Sequence, residues 1–341
     1  MIQFQCDYNN GAHPKILERL VATNDEQSVG YGFDPHCDNA RRLIREACQR
    51  PDADVHFMVG GTQTNVTVIA SILRHHQGVI CATSGHINVH ETGALEHIGH
   101  KCITLPHQQG LITAEQIEEL VVAHRASEDP CHCVEPAMVY ISFSTEYGTI
   151  YSKEQLTRIS EVCHRLELPL FIDGARMGYG LTCDACDITL PELAQLADVF
   201  YLGGTKQGAM FGEAIVITAD SLKKNFRYNI KQNGGMLAKG RMLGIQFETL
   251  FTDNLYFEIA RHANVQAKRI RDAFVAKGYK LLMESPTNQQ FPILTKAEME
   301  RFGKDFLYEI WEPVDAEHTA VRFCTSWATK TEDVDKLIAA M

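Results

Sequence analysis

The sequence predicts an α/β protein in which helices wrap a mostly parallel, seven-stranded sheet and a small α/β domain follows. Two apolar runs, at 168–172 and 199–202, lack the polar alternation of a half-exposed strand. Such runs are typical of central parallel strands that are covered on both faces. Strand-like and helical patterns alternate up to about residue 220, as expected for βαβ units. The shorter strand-like runs near the C-terminus indicate the second, smaller domain.

The individual elements follow from apolar runs bounded by turn formers and from helical periodicity. The first residues, rich in Asn, Gly and Pro, form an arm that leads into a helix. In chain order we expect helices at 15–23 and around 43–47, a strand at 55–59, a helix at 66–74, strands at 79–82 and 137–143, a helix at 152–166 capped by Ser152, strands at 168–172, 199–202 and 213–218, and a helix at 219–226.

Long helical patterns then continue to about residue 277 and are expected to link the two domains. The tail adds strand-like runs at 279–283, 290–294 and 321–325 and a last helix after Thr331. The resulting division is an N-terminal arm at 1–20, a large domain at 21–250 and a small domain at 251–341.

Composition excludes several classes of protein. The chain has 341 residues, is 45% hydrophobic and carries a formal charge of −11, with no block of like charges. This balance disfavours a membrane protein and a nucleic-acid-binding protein. The eleven cysteines are scattered, and the chain opens without the basic and apolar segments of a signal peptide. We therefore expect a protein of the reducing cytoplasm.

Neither the cysteines nor the histidines predict a metal site. Cys183 and Cys186 form one CxxC pair and 131–133 is a Cys-His-Cys cluster, but no second ligand pair lies at zinc-finger spacing. These thiols are expected to be structural or incidental. His86 and His90 are four residues apart without the HExxH pattern, so we expect no metal there either.

Two charged residues follow the central strands. Asp173 comes directly after the run 168–172, and Lys206 follows the run 199–202 and a Gly-Gly-Thr turn. In open α/β sheets, ligands bind at the carboxyl ends of the strands. A lysine can hold an aldehyde cofactor as a Schiff base while a carboxylate keeps its pyridine nitrogen protonated, which indicates pyridoxal 5′-phosphate. The alternative is that both are strand-end charges of an ordinary α/β enzyme.

Three further positions suit a flat, phosphorylated ligand. The turn Gly60-Gly61-Thr62 lies between a strand and a helix, where free N–H groups and the helix dipole favour a phosphate. It could equally be a plain turn with Thr64 or Asn65 as the helix cap. His86 is expected to be an aromatic plate beside the ligand, whereas His90, His97 and His100 are expected to be surface or helix residues.

Together these residues resemble the pyridoxal-phosphate enzymes with the aspartate aminotransferase fold (fold type I), and among them the low-specificity threonine aldolases and β-eliminating lyases. The resemblance covers nearly the whole chain. It depends on Phe-Ile-Asp-Gly-Ala-Arg at 171–176, the lysine at 206, Gly60-Gly61-Thr62, His86 and Val-Arg-Phe at 321–323.

The resemblance implies a role for each of these positions. Lys206 would bind the cofactor as a Schiff base, Asp173 would pair with the pyridine nitrogen, and His86 would stack on the ring. Gly60, Gly61 and Thr62 would hold the phosphate.

The substrate is implied in the same way. Arg176, which also borders the cofactor, and Arg322 on a tail strand would grip the substrate carboxylate. The family shares its site across a dimer interface, so Tyr31 and Lys231 would lie near the site of the neighbouring subunit. A homodimer or homotetramer is therefore expected, with an amino acid as substrate.

The chain also departs from the family pattern. Threonine aldolases open with Arg-Ser-Asp-Thr, whereas this chain has Gln-Cys-Asp-Tyr at 5–8, which puts Cys6 in the place of the serine that contacts the substrate. Ser-Lys-Gly around the lysine is replaced by Thr-Lys-Gln at 205–207, and the loop 144–148 differs from the family's asparagine-rich one.

These departures leave alternative functions open. The resemblance implies cleavage of threonine-like β-hydroxy amino acids to glycine and an aldehyde, with His86 or a water that it holds as the base. A β-eliminating lyase or an amino-acid racemase would use the same site. A non-catalytic or metal-binding α/β protein is the alternative of a different class.

Overall fold

A computed structural model describes all 341 residues. Thirteen strands are present: β1 (Ile2–Gln3), β2 (Asp54–Met58), β3 (Gln77–Ala82), β4 (Lys101–Leu105), β5 (Glu135–Ser142), β6 (Leu170–Asp173), β7 (Val199–Gly203), β8 (Glu213–Ile217), β9 (Gln289–Gln290), β10 (Ile293–Thr295), β11 (Phe306–Leu307), β12 (Glu309–Pro313) and β13 (His318–Cys324).

Fifteen α-helices are present, and most of them cover the large sheet. They are α1 (Pro14–Ala22), α2 (Pro35–Cys48), α3 (Gly61–Ile72), α4 (His86–Val89), α5 (Ala94–His97), α6 (Ala114–Arg125), α7 (Lys153–Arg165), α8 (Met177–Thr182), α9 (Leu190–Leu196), α10 (Asp220–Lys223), α11 (Phe226–Gln232), α12 (Arg241–Phe251), α13 (Leu255–Ala276), α14 (Lys296–Phe302) and α15 (Thr331–Ala340). No helix combines the length and the apolar character needed to cross a membrane.

The large sheet has the expected seven strands. Their order is β2-β8-β7-β6-β5-β3-β4. All neighbours are parallel except β8, which is antiparallel to β2 and to β7. The central strands β5, β6 and β7 are parallel, so their carboxyl ends meet at one edge of the sheet. Asp173 is the last residue of β6 at that edge.

Both faces of this sheet are buried, which explains the missing polar alternation. Successive residues of a strand point to opposite faces. Ile172 and Phe200 belong to a cluster of 45 buried apolar residues, and Phe171 and Val199 to a second cluster of 18. The charge at the end of β6 is thus fixed on a rigid, fully covered strand.

The small C-terminal domain packs β10, β13 and β12 as an antiparallel sheet, and β9 also pairs with β13. Its core of ten buried apolar residues includes Phe4 and Phe323. Strand β1 pairs in parallel with β11, so the first residues of the chain pack with this domain. The 22-residue helix α13 leads into it, in agreement with the expected long linking helix.

Several expected boundaries are confirmed and others are wrong. Ser152 caps α7 in a capping box with Gln155. The expected helix at 219–226 is instead two short helices, because Lys224 is extended and Asn225 has φ 64°. The run 279–283 forms no strand and contributes one isolated bridge, from Leu281 to Pro292.

The third correction concerns the start of α3. Its N-cap is Gly60, and no side chain caps it. Thr64 and Asn65 lie inside the first turns and are buried, so the alternative interpretation, with either residue as the helix cap, is wrong. The helix begins directly at the glycine turn, and its first N–H groups have no intrahelical acceptor.

Candidate active site

One cavity of about 490 Å³ lies between the carboxyl ends of the large sheet and strands β12 and β13 of the small domain. It brings together eight of the residues that the sequence predicts for the site. These are Gly60, Gly61, Thr62, His86, Asp173, Arg176, Lys206 and Arg322.

Asp173 is held as an acceptor by four hydrogen bonds. Oδ1 accepts from the Tyr201 hydroxyl at 2.5 Å and from the backbone N–H of Ala175 at 3.0 Å. Oδ2 accepts from the Tyr140 hydroxyl at 2.6 Å and from the Asn65 side-chain amide at 3.1 Å. The residue is 4% exposed. Donors from β5, β7, α3 and the turn after β6 therefore hold both oxygens in place.

Lys206 extends into the same cavity from the turn after β7. Its Nζ makes no side-chain hydrogen bond or ion pair within the chain and lies 5.9 Å from the ring centre of Tyr8. Its backbone carbonyl accepts from the Tyr179 hydroxyl at 2.5 Å. The backbone is thus fixed while the amine remains available for a ligand.

A buried carboxyl group lies behind this turn. Glu213 accepts at 3.0 Å from the N–H of Gly204 and at 2.8 Å from the hydroxyl of Thr205, the two residues that precede the lysine. Burial raises the pKa of Glu213 to about 8, against the opposing effect of these hydrogen bonds and of the Lys206 charge. Glu213 also lines the cavity.

The N-terminus of α3 forms another wall. Gly60 has open space where a side chain would begin, and a Cβ at Gly61 would lie 3.4 Å from the Tyr201 hydroxyl. The unpaired N–H groups of the first turn and the helix dipole favour an anion at this wall. The exposed Thr62 is placed to add a hydroxyl.

His86 is the first residue of α4, and its side chain is 30% exposed. Its Nδ1 lies 2.8 Å from Oε1 of the buried Glu91. Burial lowers the pKa of His86, but the hydrogen bond to Glu91 and the charges of Glu146 and Asp173 together outweigh this effect, and the pKa lies above its usual value.

The other histidines differ in exposure. His90 and His97 are exposed, as expected. His100, expected at the surface or in a helix, is 6% exposed and lies outside the helices, so that expectation is wrong. The ring is buried against the start of β3, where its Nδ1 lies 3.1 Å from the backbone carbonyl of Gln77.

Arg176 is 5% exposed and largely occupied within the protein. Its Nε and Nη2 donate to the Asp7 carboxylate at 2.8 and 3.1 Å. Nη1 lies 3.9 Å from Oε2 of Glu146. One edge of the guanidinium therefore binds the N-terminal arm, and Nη1 is left for other contacts.

Arg322 enters the cavity from β13. Nη1 donates to the Gln289 side chain at 2.8 Å, and Nη2 pairs with Glu309 on β12. The guanidinium carbon lies 5.3 Å from the ring centre of Trp311. Its Nε is buried and makes no hydrogen bond within the chain.

Cys6 and Tyr31 do not line this cavity. Cys6 is half-buried, whereas Tyr31 is exposed and lies 5.2 Å from Nζ of Lys231. A site at the neighbouring subunit for Tyr31 and Lys231 stays a prediction. All eleven cysteines are free, and no group of three or more His, Cys, Asp or Glu side chains is arranged to hold a metal ion.

Several polar residues of the site are absent from the sequence prediction. Tyr140 and Tyr201 lie within apolar strands, Glu213 opens one, and Glu91 follows a histidine-rich stretch. A buried tyrosine hydroxyl or carboxylate needs a partner, so polar residues in otherwise apolar runs are a usable signal. Their convergence on Asp173 and Lys206 depends on the sheet order.

These features fit pyridoxal phosphate. The helix N-terminus with open space at Gly60 suits its phosphate, the unpartnered Lys206 amine its aldehyde, and the Asp173 carboxylate its pyridine nitrogen. Buried polar atoms without partners, Ser144 Oγ and Asn65 Oδ1, belong to residues that line the same cavity.

Comparison with known proteins agrees with this geometry. The beta-eliminating lyase family model matches residues 3–297. A low specificity L-threonine aldolase of Pseudomonas aeruginosa is 29% identical over 343 residues, which covers 98% of this chain and 95% of that protein. The structure of a Leishmania major threonine aldolase is 44% identical with a TM-score of 0.97, covering 99% of this chain and 98% of that one.

A more distant structure shows the fold alone. The aspartate aminotransferase of Thermus thermophilus, in a complex with maleate, is 14% identical with a TM-score of 0.69, and the match covers 100% of this chain and 90% of that one. With the family model spanning most of its length, the chain belongs to the beta-eliminating lyase family, enzymes that use pyridoxal phosphate on the aspartate aminotransferase fold.

Proposed function

We propose that the protein cleaves β-hydroxy amino acids such as L-threonine and L-allo-threonine to glycine and an aldehyde. The main support is one cavity that holds the unpartnered Lys206 amine, the Asp173 carboxylate, the N-terminus of α3 and two arginines. The names of the relatives, threonine aldolases from Pseudomonas and Leishmania, favour this reaction over others of the same family.

The chain's own residues would hold the cofactor and fix its orientation. The Lys206 amine would bind its aldehyde carbon, and the N–H groups at Gly61 and Thr62 would bind its phosphate. Asp173, fixed by its four donors, would keep the pyridine nitrogen protonated. Bound in this way, pyridoxal phosphate supplies an electron sink for the bond that breaks at Cα.

The arginines would orient the substrate. Arg322, on the small-domain side of the cavity, is the stronger candidate for the carboxylate, because its partner Glu309 is partly exposed whereas Arg176 is paired with the fully buried Asp7. Arg176 can contribute only Nη1, since Asp7 occupies Nε and Nη2. Holding the carboxylate fixes which bond at Cα stands in the reactive orientation.

A base must then remove the proton of the β-hydroxyl. His86 lines the cavity, and one of its ring nitrogens makes no hydrogen bond within the chain. Imidazole is suited to proton transfer near neutral pH. His86, directly or through a water that it holds, would take this proton.

We also propose a homodimer or homotetramer in the cytoplasm. The exposed aromatic residues Tyr31, Phe33 and Tyr228 lie with Lys231 and Arg227 on one part of the surface. Arg227 lies over Phe33 at 4.3 Å, and such aromatic and arginine surfaces are enriched at protein interfaces. Tyr31 and Lys231 would lie near the neighbouring subunit's site.

The test is aldehyde release from four donors: L-threonine, L-allo-threonine, phenylserine and serine. The expected result is acetaldehyde and glycine in equal amounts from the first two, with no release by Lys206→Ala. Ammonia release or exchange of the α-proton without aldehyde would instead assign β-elimination or racemisation.

A further inference from the structure

We propose that Glu91 is a positioning residue for His86, and that Asn65 ties this histidine–glutamate pair to Asp173. Glu91 fixes the ring so that Nε2, rather than Nδ1, receives the proton of the substrate's β-hydroxyl. This inference rests on the proposed function for its chemistry, while the contacts that carry it lie within this chain.

The four residues form an unbroken hydrogen-bonded path. His86 Nδ1 lies 2.8 Å from Glu91 Oε1, which also accepts from the Asn65 amide at 2.7 Å. The same amide nitrogen donates its second hydrogen to Asp173 at 3.1 Å. Both hydrogens of the amide are therefore used, and the cofactor-binding carboxylate and the histidine pair are fixed relative to one another.

This path fixes the histidine tautomer. Glu91 Oε1 accepts from the Asn65 amide and is therefore also the acceptor towards His86, so Nδ1 carries the hydrogen of this contact. In the neutral ring the lone pair is then on Nε2, which makes no hydrogen bond within the chain. Since His86 lines the cavity, Nε2 is the nitrogen left for a substrate.

Burial explains why the pair is strongly coupled. The Glu91 side chain is fully buried, and its only cationic contact is His86. Taking a carboxylate out of water is costly unless a hydrogen-bonded partner compensates. The other charged groups around His86 are Glu146 and Asp173, which favour its protonated form, and Lys206, which opposes it. The exposed His90 ring lies 5.5 Å away.

The proton step then balances. The β-hydroxyl O–H bond breaks and its proton passes to Nε2, while the oxygen's electrons form the aldehyde C=O bond. The Cα–Cβ bond breaks with its electron pair left on Cα, which regains a proton to become glycine. Glu91 touches neither substrate nor cofactor and acts only through the orientation and the basicity of His86.

The experiment measures His86 directly. The ring is titrated by NMR in the cofactor-loaded protein and in its Glu91→Gln variant, and the pH profile of kcat/KM is recorded for both. Removing the charge should lower the His86 pKa by about one unit or more. The acid limb of the profile should move with it, and kcat should fall by about tenfold or more while KM for threonine stays nearly constant.

Two further variants keep the test decisive. Glu96→Gln removes an exposed carboxylate on the next helix and should leave both readouts unchanged. Glu91→Asp keeps the charge, so the His86 pKa in this variant should lie between those of Glu91→Gln and the unmodified protein. If Glu91→Gln does not fold, the Glu91→Asp variant still provides the comparison.

Unchanged His86 titration in Glu91→Gln, even with lower activity, would overturn the proposal and make Glu91 structural. Failure of the proposed function looks different, because the His86 pKa would still depend on Glu91 in a protein that releases no aldehyde.

Discussion

The Asp7 carboxylate accepts two hydrogen bonds from Arg176, at 2.8 Å from Nε and 3.1 Å from Nη2. Asn288 of the small domain donates to the same carboxylate at 2.9 Å. Burial would raise the pKa of Asp7, but the Arg176 and Lys206 charges and the hydrogen bonds from Arg176 and Asn288 together hold it well below its usual range. One buried carboxylate thus joins the N-terminal arm, the active-site edge of the sheet and the small domain.

Asp7→Asn should destabilise the protein, because it leaves the buried Arg176 charge with only the more distant Glu146 carboxylate as a counter-ion. We expect a loss of about 3 kcal/mol of unfolding free energy in urea. Asp184→Asn is the control, since Asp184 pairs with Lys268 at the surface and should cost less than about 1 kcal/mol. Equal losses of unfolding free energy in the two variants would show that the buried Asp7–Arg176 pair stabilises the protein no more than a surface ion pair does.

The same pair predicts a loss of stability in acid. Because the folded-state pKa of Asp7 is depressed, its contribution is present above the ordinary value of 3.8 and is lost as the pH falls below it. Unfolding free energies at pH 6 and pH 3 should therefore differ less in Asp7→Asn than in the unmodified protein. Parallel curves for the two proteins would contradict this assignment.

Arg322→Lys tests the substrate carboxylate site. A lysine keeps the charge but not the planar fork that forms two parallel hydrogen bonds. KM for threonine should rise by about tenfold or more, and Arg322→Leu should raise it further, while the visible absorbance of the lysine-bound cofactor stays intact. An unchanged KM in Arg322→Leu would place the carboxylate elsewhere, with Arg176 Nη1 as the next candidate.

Glu213→Gln tests the buried carboxyl behind the lysine turn. Burial raises the pKa of Glu213 to about 8. The folding stability that this carboxyl group contributes is therefore complete below its ordinary pKa of 4.5 and is lost as the pH rises through about 8. Gln cannot ionise. In cofactor-free protein, Glu213→Gln should therefore gain stability relative to the unmodified chain between pH 5 and pH 9, by about 2 to 4 kcal/mol. If the difference in unfolding free energy between the two proteins stayed constant from pH 5 to pH 9, the raised pKa of Glu213 would be contradicted.

Asp173→Ala tests the electron sink. Removing the carboxylate takes away the proposed partner of the pyridine nitrogen and the common acceptor of Tyr140 and Tyr201. We expect cofactor binding to persist through Lys206 with activity reduced by about a thousandfold or more. Tyr201→Phe is the comparison, because it removes one donor and keeps the carboxylate, and it should lose far less activity. Similar losses in both variants would indicate that the network, rather than the charge, is required.

Much of the fold follows from local patterns in the sequence. The apolar runs that precede Asp173 and Lys206 predict covered parallel strands, and the structure confirms both. The order of the strands does not follow from such patterns. The position of β8 between β2 and β7, antiparallel to both, depends on long-range packing. The run 279–283 does not form a strand, because its only pairing with another segment is the isolated bridge from Leu281 to Pro292.

Part of the candidate site follows from residue types. The proposed roles of Lys206, Asp173 and the glycines at 60 and 61 rest on their residue types and on their places after strands, and the structure brings these residues into one cavity. Glu91 and Asn65 lie 26 positions apart and have no such local signal. The pairing of Asp7 with Arg176 is also non-local, and it reduces the part that Arg176 can play in substrate binding from a full fork to one nitrogen.

The proposed reaction breaks the Cα–Cβ bond of a β-hydroxy amino acid in this cavity. The most direct measurement incubates the cofactor-loaded protein with uniformly ¹³C-labelled L-threonine and follows all products by NMR. We expect two-carbon glycine and two-carbon acetaldehyde in equal amounts, and neither product from Lys206→Ala. A four-carbon keto acid with ammonia, or threonine altered only at its α-position, would contradict this proposal.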